Sequence, residues 1–403
     1  MMAEKIRLGI IGIGNMGAAH AKNVAAGKCP DFVLTAVADI KPDRLAWAAA
    51  ELPASVKRYD SAEALLERGE VDACMICVPH YDHPKYAIAC MQRGIHVMVE
   101  KPAGVYTKQV REMNEEAKRH PDVVFGMMFN QRTNCIYRKV RELVQSGAYG
   151  GIRRTNWIIT NWYRPQAYYD SGDWRATWAG EGGGVLLNQC PHQLDLWQWI
   201  CGMPVSVEAK LSYGLWHDIE VEDDVTAYVK YANGATGVFV TTTGDAHGTN
   251  RLEIQLDRAR IVVENGKISL LVYEMTEQAF SKTNTEPFAT VAASKVEVET
   301  DGENPQHVGV LNAFAGAILR GEPLVADGTE GIRGLELSNA MHLSSWTDQT
   351  VTLPIDEALF LEKLNEHRKA SKVKTEVTEA TFDTSDSYGS KVSDNTDKGG
   401  VKA

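Results

Sequence analysis

The stretch Ile6-Arg7-Leu8-Gly9-Ile10-Ile11-Gly12-Ile13-Gly14-Asn15-Met16-Gly17 decides the expected fold. Ile6–Gly12 is a short apolar run of strand type, and Met16–Ala26 is an alanine-rich stretch of helix type. Glycines at the join suit a turn in which Gly12 bends sharply, Gly14 lets the backbone approach a diphosphate, and Gly17 lets helix and strand pack closely. The diphosphate would lie at the positive end of the helix, beside Asn15 and Met16. A glycine triplet alone is weak evidence, since tight turns of many kinds use glycine. Here, though, the second strand, Phe32–Ala38, ends in Asp39, 22 residues beyond Gly17. A carboxylate there can bind the adenosine ribose hydroxyls and repel a 2′-phosphate. NAD is therefore expected over NADP, with Lys41 and Arg44 near enough to soften the preference. The alternative is a plain turn and an unrelated surface aspartate.

Outward from that turn, strand and helix patterns alternate: Pro42–Glu51, Ala62–Arg68, Pro84–Arg93 and Tyr106–Arg119 as helices, Ala73–Val78 and His96–Val99 as strands. This predicts an α/β Rossmann domain, a doubly wound parallel sheet, over 1–128. Beyond it, Arg154–Tyr163, Val205–Tyr213, Val225–Tyr231, Thr236–Thr243, Leu252–Leu256, Ala259–Glu264 and Lys267–Tyr273 read as strands. Two Asn-Gly pairs, Asn233-Gly234 and Asn265-Gly266, mark hairpins. An α+β domain with a large open antiparallel sheet is expected over 129–367, with helices at Gly184–Ile200, Val308–Arg320 and Gly331–Ser345. The late helices, over 305–346, are expected to return towards the first domain. Residues 368–403 are rich in Ser, Thr, Lys and Asp and read as a mobile polar tail.

The chain's 403 residues are enough for two domains. A formal net charge of -11 argues against a nucleic-acid partner, which would require a basic face. No apolar run approaches the length of a membrane span and no secretion signal is evident, so a cytoplasmic protein without a membrane partner is expected. Seven cysteines at irregular spacing read as reduced thiols. Cys74-Met-Ile-Cys77 has zinc-knuckle spacing but sits in a strand-like run, so no metal is expected.

Two further segments are polar where packing alone would favour apolar residues. Glu100-Lys101-Pro102 follows the strand His96–Val99, and ligands of open parallel sheets bind beyond the carboxyl ends of strands. Lys101 is thus placed to donate to a substrate oxygen; the alternative is a surface lysine in a turn. In Gly182-Gly-Gly-Val-Leu-Leu-Asn188-Gln-Cys-Pro-His192-Gln-Leu-Asp195, the spacing predicts Asn188, His192 and Asp195 on one helical face, with Leu187, Leu194 and Leu196 anchoring the core. A histidine among polar neighbours suits general acid/base work, whereas a lone one is more often core packing.

These residues resemble the glucose–fructose oxidoreductase/inositol dehydrogenase/MocA family over roughly Arg7–Trp346. The likeness runs through the glycine turn, Asp39, Val78-Pro79-His80-x-x-His83, Glu100-Lys101-Pro102, Phe129-Asn130-Gln131-Arg132, the His192 helix, and the late helix with His307 and Phe314. The resemblance implies that Lys101 polarises the substrate oxygen and His192 is the general acid/base. The family's aspartate four residues before the histidine is Asn188 here, which cannot accept a proton and should orient substrate or His192. Cys190 stands where glycine is expected. The family likeness also implies a homodimer or homotetramer through the second sheet. Pro79, His80 and His83 are expected at the nicotinamide pocket, with helix capping the alternative for His83. The aromatic and donor-rich segment around Arg164, Tyr168 and Arg175 is the candidate substrate surface, against simple packing or a subunit contact.

The leading expectation is an NAD-dependent oxidoreductase acting on a secondary hydroxyl of a sugar, cyclitol or glycoside, with glycoside C3 oxidation one form. Two alternatives stand beside it: a hydrolase or eliminase that oxidises transiently with tightly held NAD, and a non-catalytic NAD(H) sensor.

Overall fold

The computed structural model describes residues 5–374 except 69 and 373. Strands β1 (Ile6–Ile11), β2 (Phe32–Ala38), β3 (Lys57–Tyr59), β4 (Ala73–Ile76), β5 (His96–Val99) and β6 (Phe125–Met127) form one sheet. Its order is β3-β2-β1-β4-β5-β6 and every neighbour is parallel. The intervening helices are α1 (Asn15–Ala25), α2 (Pro42–Glu51), α3 (Ala62–Glu67), α4 (His83–Met91) and α5 (Thr107–Arg119). Both faces are covered: Leu8 and Ile10 of β1 join one apolar cluster, while neighbouring Ile11 joins another. Double coverage explains why these strands read as continuous apolar runs. Reversal of strand order between β1 and β4 opens a crevice beyond their carboxyl ends, where the glycine turn lies.

Helix α6 (Cys135–Gln145) leads into β7 (Ile152–Ile159), the short α7 (Gln166–Tyr169) and α8 (Pro191–Cys201). Strands β8 (Ser206–Tyr213), β9 (Glu222–Lys230), β10 (Thr236–Thr242), β11 (Asn250–Leu256), β12 (Ala259–Glu264) and β13 (Lys267–Tyr273) follow. Then come α9 (Glu277–Thr283), β14 (Ala293–Val296), α10 (Gln306–Arg320), α11 (Gly331–Thr347), β15 (Val351–Thr352) and α12 (Glu357–Ala370). The second sheet runs β14-β13-β12-β11-β7-β10-β9-β8-β15. Both expected hairpins form, and Asn265 and Gly266 take the left-handed conformations (φ +51° and +68°) that their turn requires.

The large antiparallel sheet expected is present, with one parallel pair within it. β7 and β10 pair in parallel, because β10 enters beside β7 from a hairpin formed after a long excursion of the chain. The inner sheet face carries Trp157, Phe239 and Val229 under α8, with the Trp197 ring stacked on Phe239 at 5.3 Å. Ile158 and Tyr228 point to the other face and are exposed.

Helix α10 returns to the first domain, where Phe314 packs 6.0 Å from Phe32. The polar tail expected from 368 starts inside α12, which continues to Ala370. Ser371 Oγ then donates to Glu220 at 2.6 Å. Residues from 375 onward lie outside the described ones.

Candidate active site

The glycine turn is as tight as its sequence requires. Gly12 adopts φ +86°, and a Cβ on it would lie 2.7 Å from the Cys77 carbonyl oxygen. A Cβ on Gly17 would lie 1.9 Å from the Gly12 oxygen, so only glycine lets α1 meet β1. Gly14, by contrast, faces open space, and no side chain caps the helix that starts beyond it at Asn15 and Met16. Helix N–H groups beside open room are what a diphosphate needs, so the residues present fit a dinucleotide. Asp39 is held against the turn: its carboxylate accepts the N–H of Ile13 at 2.8 Å and of Lys41 at 2.9 Å. Arg44 is tethered to the Ile13 carbonyl at 2.8 Å, and its guanidinium lies over Trp47.

At the end of β5, Glu100 is buried and hydrogen-bonded to His20 at 2.8 Å. Burial alone would raise this carboxyl, but the bond and charge of His20 prevail and hold it at about 2. The next residue, Lys101, donates from Nζ to the backbone oxygen of Asn188 at 3.0 Å. Burial lowers its ammonium below the ordinary lysine range, against the opposing pull of Glu100. His83 spans two carbonyls, Pro102 (Nδ1, 2.6 Å) and Val78 (Nε2, 2.7 Å), and so ties the end of β4 to the Lys101-Pro102 turn. It makes no capping bond to α4. Pro79 is exposed beside it, and His80 meets the Glu181 carbonyl at 3.3 Å and the Trp174 ring edge-on.

The expected helix from Gly184 to Ile200 begins only at Pro191, so Asn188 does not share a helical face with His192. Glu222 causes this. Its carboxylate accepts the N–H groups of Gly184 (2.8 Å) and Leu186 (3.0 Å), while its carbonyl accepts that of Val185 (3.0 Å). These bonds hold 184–190 as a sequence of turns, and proline then starts the helix. A Cβ on Gly184 would lie 2.0 Å from the Glu222 oxygen. His192 sits in the first turn of α8, fully buried, with its ring held neutral first by burial and then by the charge of Lys101. Asp195, expected beside His192, instead takes the Arg132 guanidinium at 2.6 and 2.8 Å, and Arg132 also pairs with Glu330. Leu187, Leu194 and Leu196 are buried as expected.

The segment 162–181 folds against this turn. Arg175 lies 4.3 Å over the Tyr168 ring and donates to its hydroxyl at 2.6 Å; Arg164 lies 5.2 Å over the same ring. Tyr168 Oη is in turn 3.5 Å from Asn188 Oδ1. Sequence reasoning missed Glu181, whose buried carboxylate accepts from Asn188 Nδ2 and stands 4.0 Å from Arg175. Its one signal was a charged residue directly before three glycines in a run that is otherwise buried. Beyond the strand ends, Asn188 therefore links Lys101 and Tyr168 by hydrogen bonds, with the neutral His192 close enough to feel the charge of Lys101.

Fold and site together define an NAD-binding oxidoreductase. Residues 6–127 match the model of the oxidoreductase family with an NAD-binding Rossmann fold, and residues 137–267 match the Gfo/Idh/MocA C-terminal domain. The chain belongs to the Gfo/Idh/MocA family. It is 26% identical over 353 residues to myo-inositol 2-dehydrogenase of Thermotoga maritima, covering 86% of this chain and 98% of that one. It is 27% identical over 252 residues to D-glucoside 3-dehydrogenase of Escherichia coli, covering 58% and 69%. Among solved structures, the WlbA dehydrogenase of Chromobacterium violaceum, in complex with NADH and UDP-GlcNAcA, superimposes with a TM-score of 0.73 at 27% identity, covering 88% and 98%.

Proposed function

We propose that this protein oxidises a secondary ring hydroxyl of a sugar, cyclitol or glycoside, or reduces the matching ketone, with Lys101 and His192 handling the proton. When bound, NAD supplies the hydride acceptor. Asp39 and the Gly12–Gly17 turn hold the cofactor's ribose and diphosphate. Lys101, fixed by the Asn188 carbonyl, donates to the substrate oxygen and stabilises the charge that develops as its proton leaves. The buried, neutral His192 is in the state that accepts that proton. Tyr168, Arg164 and Arg175 form the wall that reads ring hydroxyls, and a glycoside oxidised at C3 suits its aromatic surface. The exposed outer face of the second sheet serves as the contact of a homodimer or homotetramer.

The observation that carries the reading is the hydrogen bond from Lys101, at the end of β5, to Asn188, 87 positions on in the turn that leads into His192. The named substrates of the relatives, myo-inositol and D-glucosides, support the substrate class. Purified protein with NAD should show rising absorbance at 340 nm with at least one of myo-inositol, D-glucose or methyl glucosides. Cleavage of a glucoside with no net absorbance change and no added NAD would replace this reading with a transient oxidation cycle.

A further inference from the structure

A buried carboxylate, Glu181, stands directly behind the Asn188 amide. Glu181 is 1% exposed and forms a long ion pair with the Arg175 guanidinium, 4.0 Å off. One carboxylate oxygen accepts the Ala176 N–H at 2.5 Å, securing a residue in the left-handed conformation (φ +56°). The other accepts from the Asn188 amide nitrogen. A carboxylate only accepts hydrogen bonds, whereas an amide can present either its NH2 or its oxygen. Burial pushes the Glu181 carboxyl up, against the opposing Arg175 charge and the bonds from the Ala176 N–H and Asn188, and in its ionised form it permits one orientation of Asn188: nitrogen towards Glu181, oxygen towards Tyr168. That oxygen lies 3.5 Å from the Tyr168 hydroxyl, itself bonded by Arg175 (2.6 Å) and Gln189 (3.2 Å). The backbone oxygen of the same asparagine holds Lys101. Asn188 thus touches the proposed catalytic lysine with its main chain and the substrate wall with its amide.

We infer that Glu181 is a positioning residue that locks the Asn188 amide with Oδ1 towards the proposed substrate wall, so that the side chain at 188 offers a fixed acceptor there. The inference rests on the proposed oxidoreductase reading for its consequence in turnover, but its geometry is independent of that reading. A site built this way favours a substrate that donates a hydroxyl proton to Oδ1, as a polyol ring does.

The test compares the wild-type chain with Glu181→Gln, Asn188→Asp and the double variant that exchanges the two groups. Glu181→Gln is expected to lower kcat about tenfold or more, the size of one charge-assisted hydrogen bond, with NADH binding by fluorescence unchanged. Asn188→Asp places two carboxylates together and should lower kcat similarly. The exchanged pair should restore activity to within about threefold of wild type, because one amide and one carboxylate again face each other. Restoration would not follow if Glu181 merely supported Ala176. A double variant no better than the worse single one overturns the inference, as does an unchanged kcat in Glu181→Gln. The second readout is the Asn188 side-chain NH2 signal in 15N-asparagine-labelled protein, assigned by its loss in Asn188→Asp. A downfield-shifted signal that moves in Glu181→Gln supports the lock, and an ordinary, unmoved signal overturns it. If Glu181→Gln does not fold, the wild-type signal alone decides in the same sense. If wild type oxidises none of myo-inositol, D-glucose or methyl glucosides, the oxidoreductase reading fails while the amide signal still decides the inference.

Discussion

Lys101 shows how a residue's role follows from its surroundings. Burial depresses its ammonium while Glu100 opposes that shift, so its folded pKa lies below the ordinary lysine range of about 10.4. A lysine that donates must be protonated, so activity should fall as pH rises through this lowered value. Burial and Lys101 hold His192 well below neutrality, so it stays a competent base at neutral pH and adds no acidic limb there. A kcat profile flat near neutrality and falling on the alkaline side before the ordinary lysine range is expected. A rate still rising through that range contradicts the assignment. The positions of Asp39, Lys101 and the three glycines in the fold were legible because each stands at a strand end or turn that the sequence marks, and that of His192 because the sequence places it on a helix. Glu181 was not, since its partner Asn188 becomes a neighbour only after Glu222 folds the segment 184–190 into turns.

Elements here are fastened by buried charge. Arg132, just after β6, is 3% exposed and joins Asp195 on α8 to Glu330 at the start of α11. Removing one partner of such a group leaves an unpaired buried charge, which typically costs about 3–5 kcal/mol. Arg132→Ala should therefore lose stability of that order in urea unfolding, and a loss under about 1 kcal/mol would show that the ion pairs do not clamp the helix bearing His192. Sequence patterning found most of the elements through their apolar periods. It missed β3, β6, β14 and β15, which have too few residues to show a period, along with the short helices α7 and α9 and the longer α6 and α12. It extended the His192 helix backwards, because Asn188, His192 and Asp195 stand at helical spacing and nothing local reports the Glu222 bonds. The parallel β7–β10 pairing joins Trp157 to Phe239, a separation beyond the reach of any local pattern.

The whole molecule places the crevice of one sheet against the turn that introduces α8 and leaves the outer face of the other sheet uncovered within the chain. Register puts Tyr228, Val238 and Asn156 in one row of that face and Thr226, Val240 and Ile158 in the next, an apolar strip on a surface that also bears charge. Light scattering should give two or four times the 44.4 kDa chain mass, falling towards one chain in a Tyr228→Glu, Ile158→Glu variant; a wild-type mass of one chain contradicts that contact. No helix among the described residues is long and apolar enough to cross a membrane. Convergence of Lys101 and His192 on one carbinol is the central claim, and single-turnover NADH formation in Lys101→Ala and His192→Ala tests it most directly. With the substrate that wild type oxidises, each variant should bind NADH normally yet be slowed by about 10²–10³-fold or more. Wild-type rates in either variant, with cofactor binding intact, would contradict it.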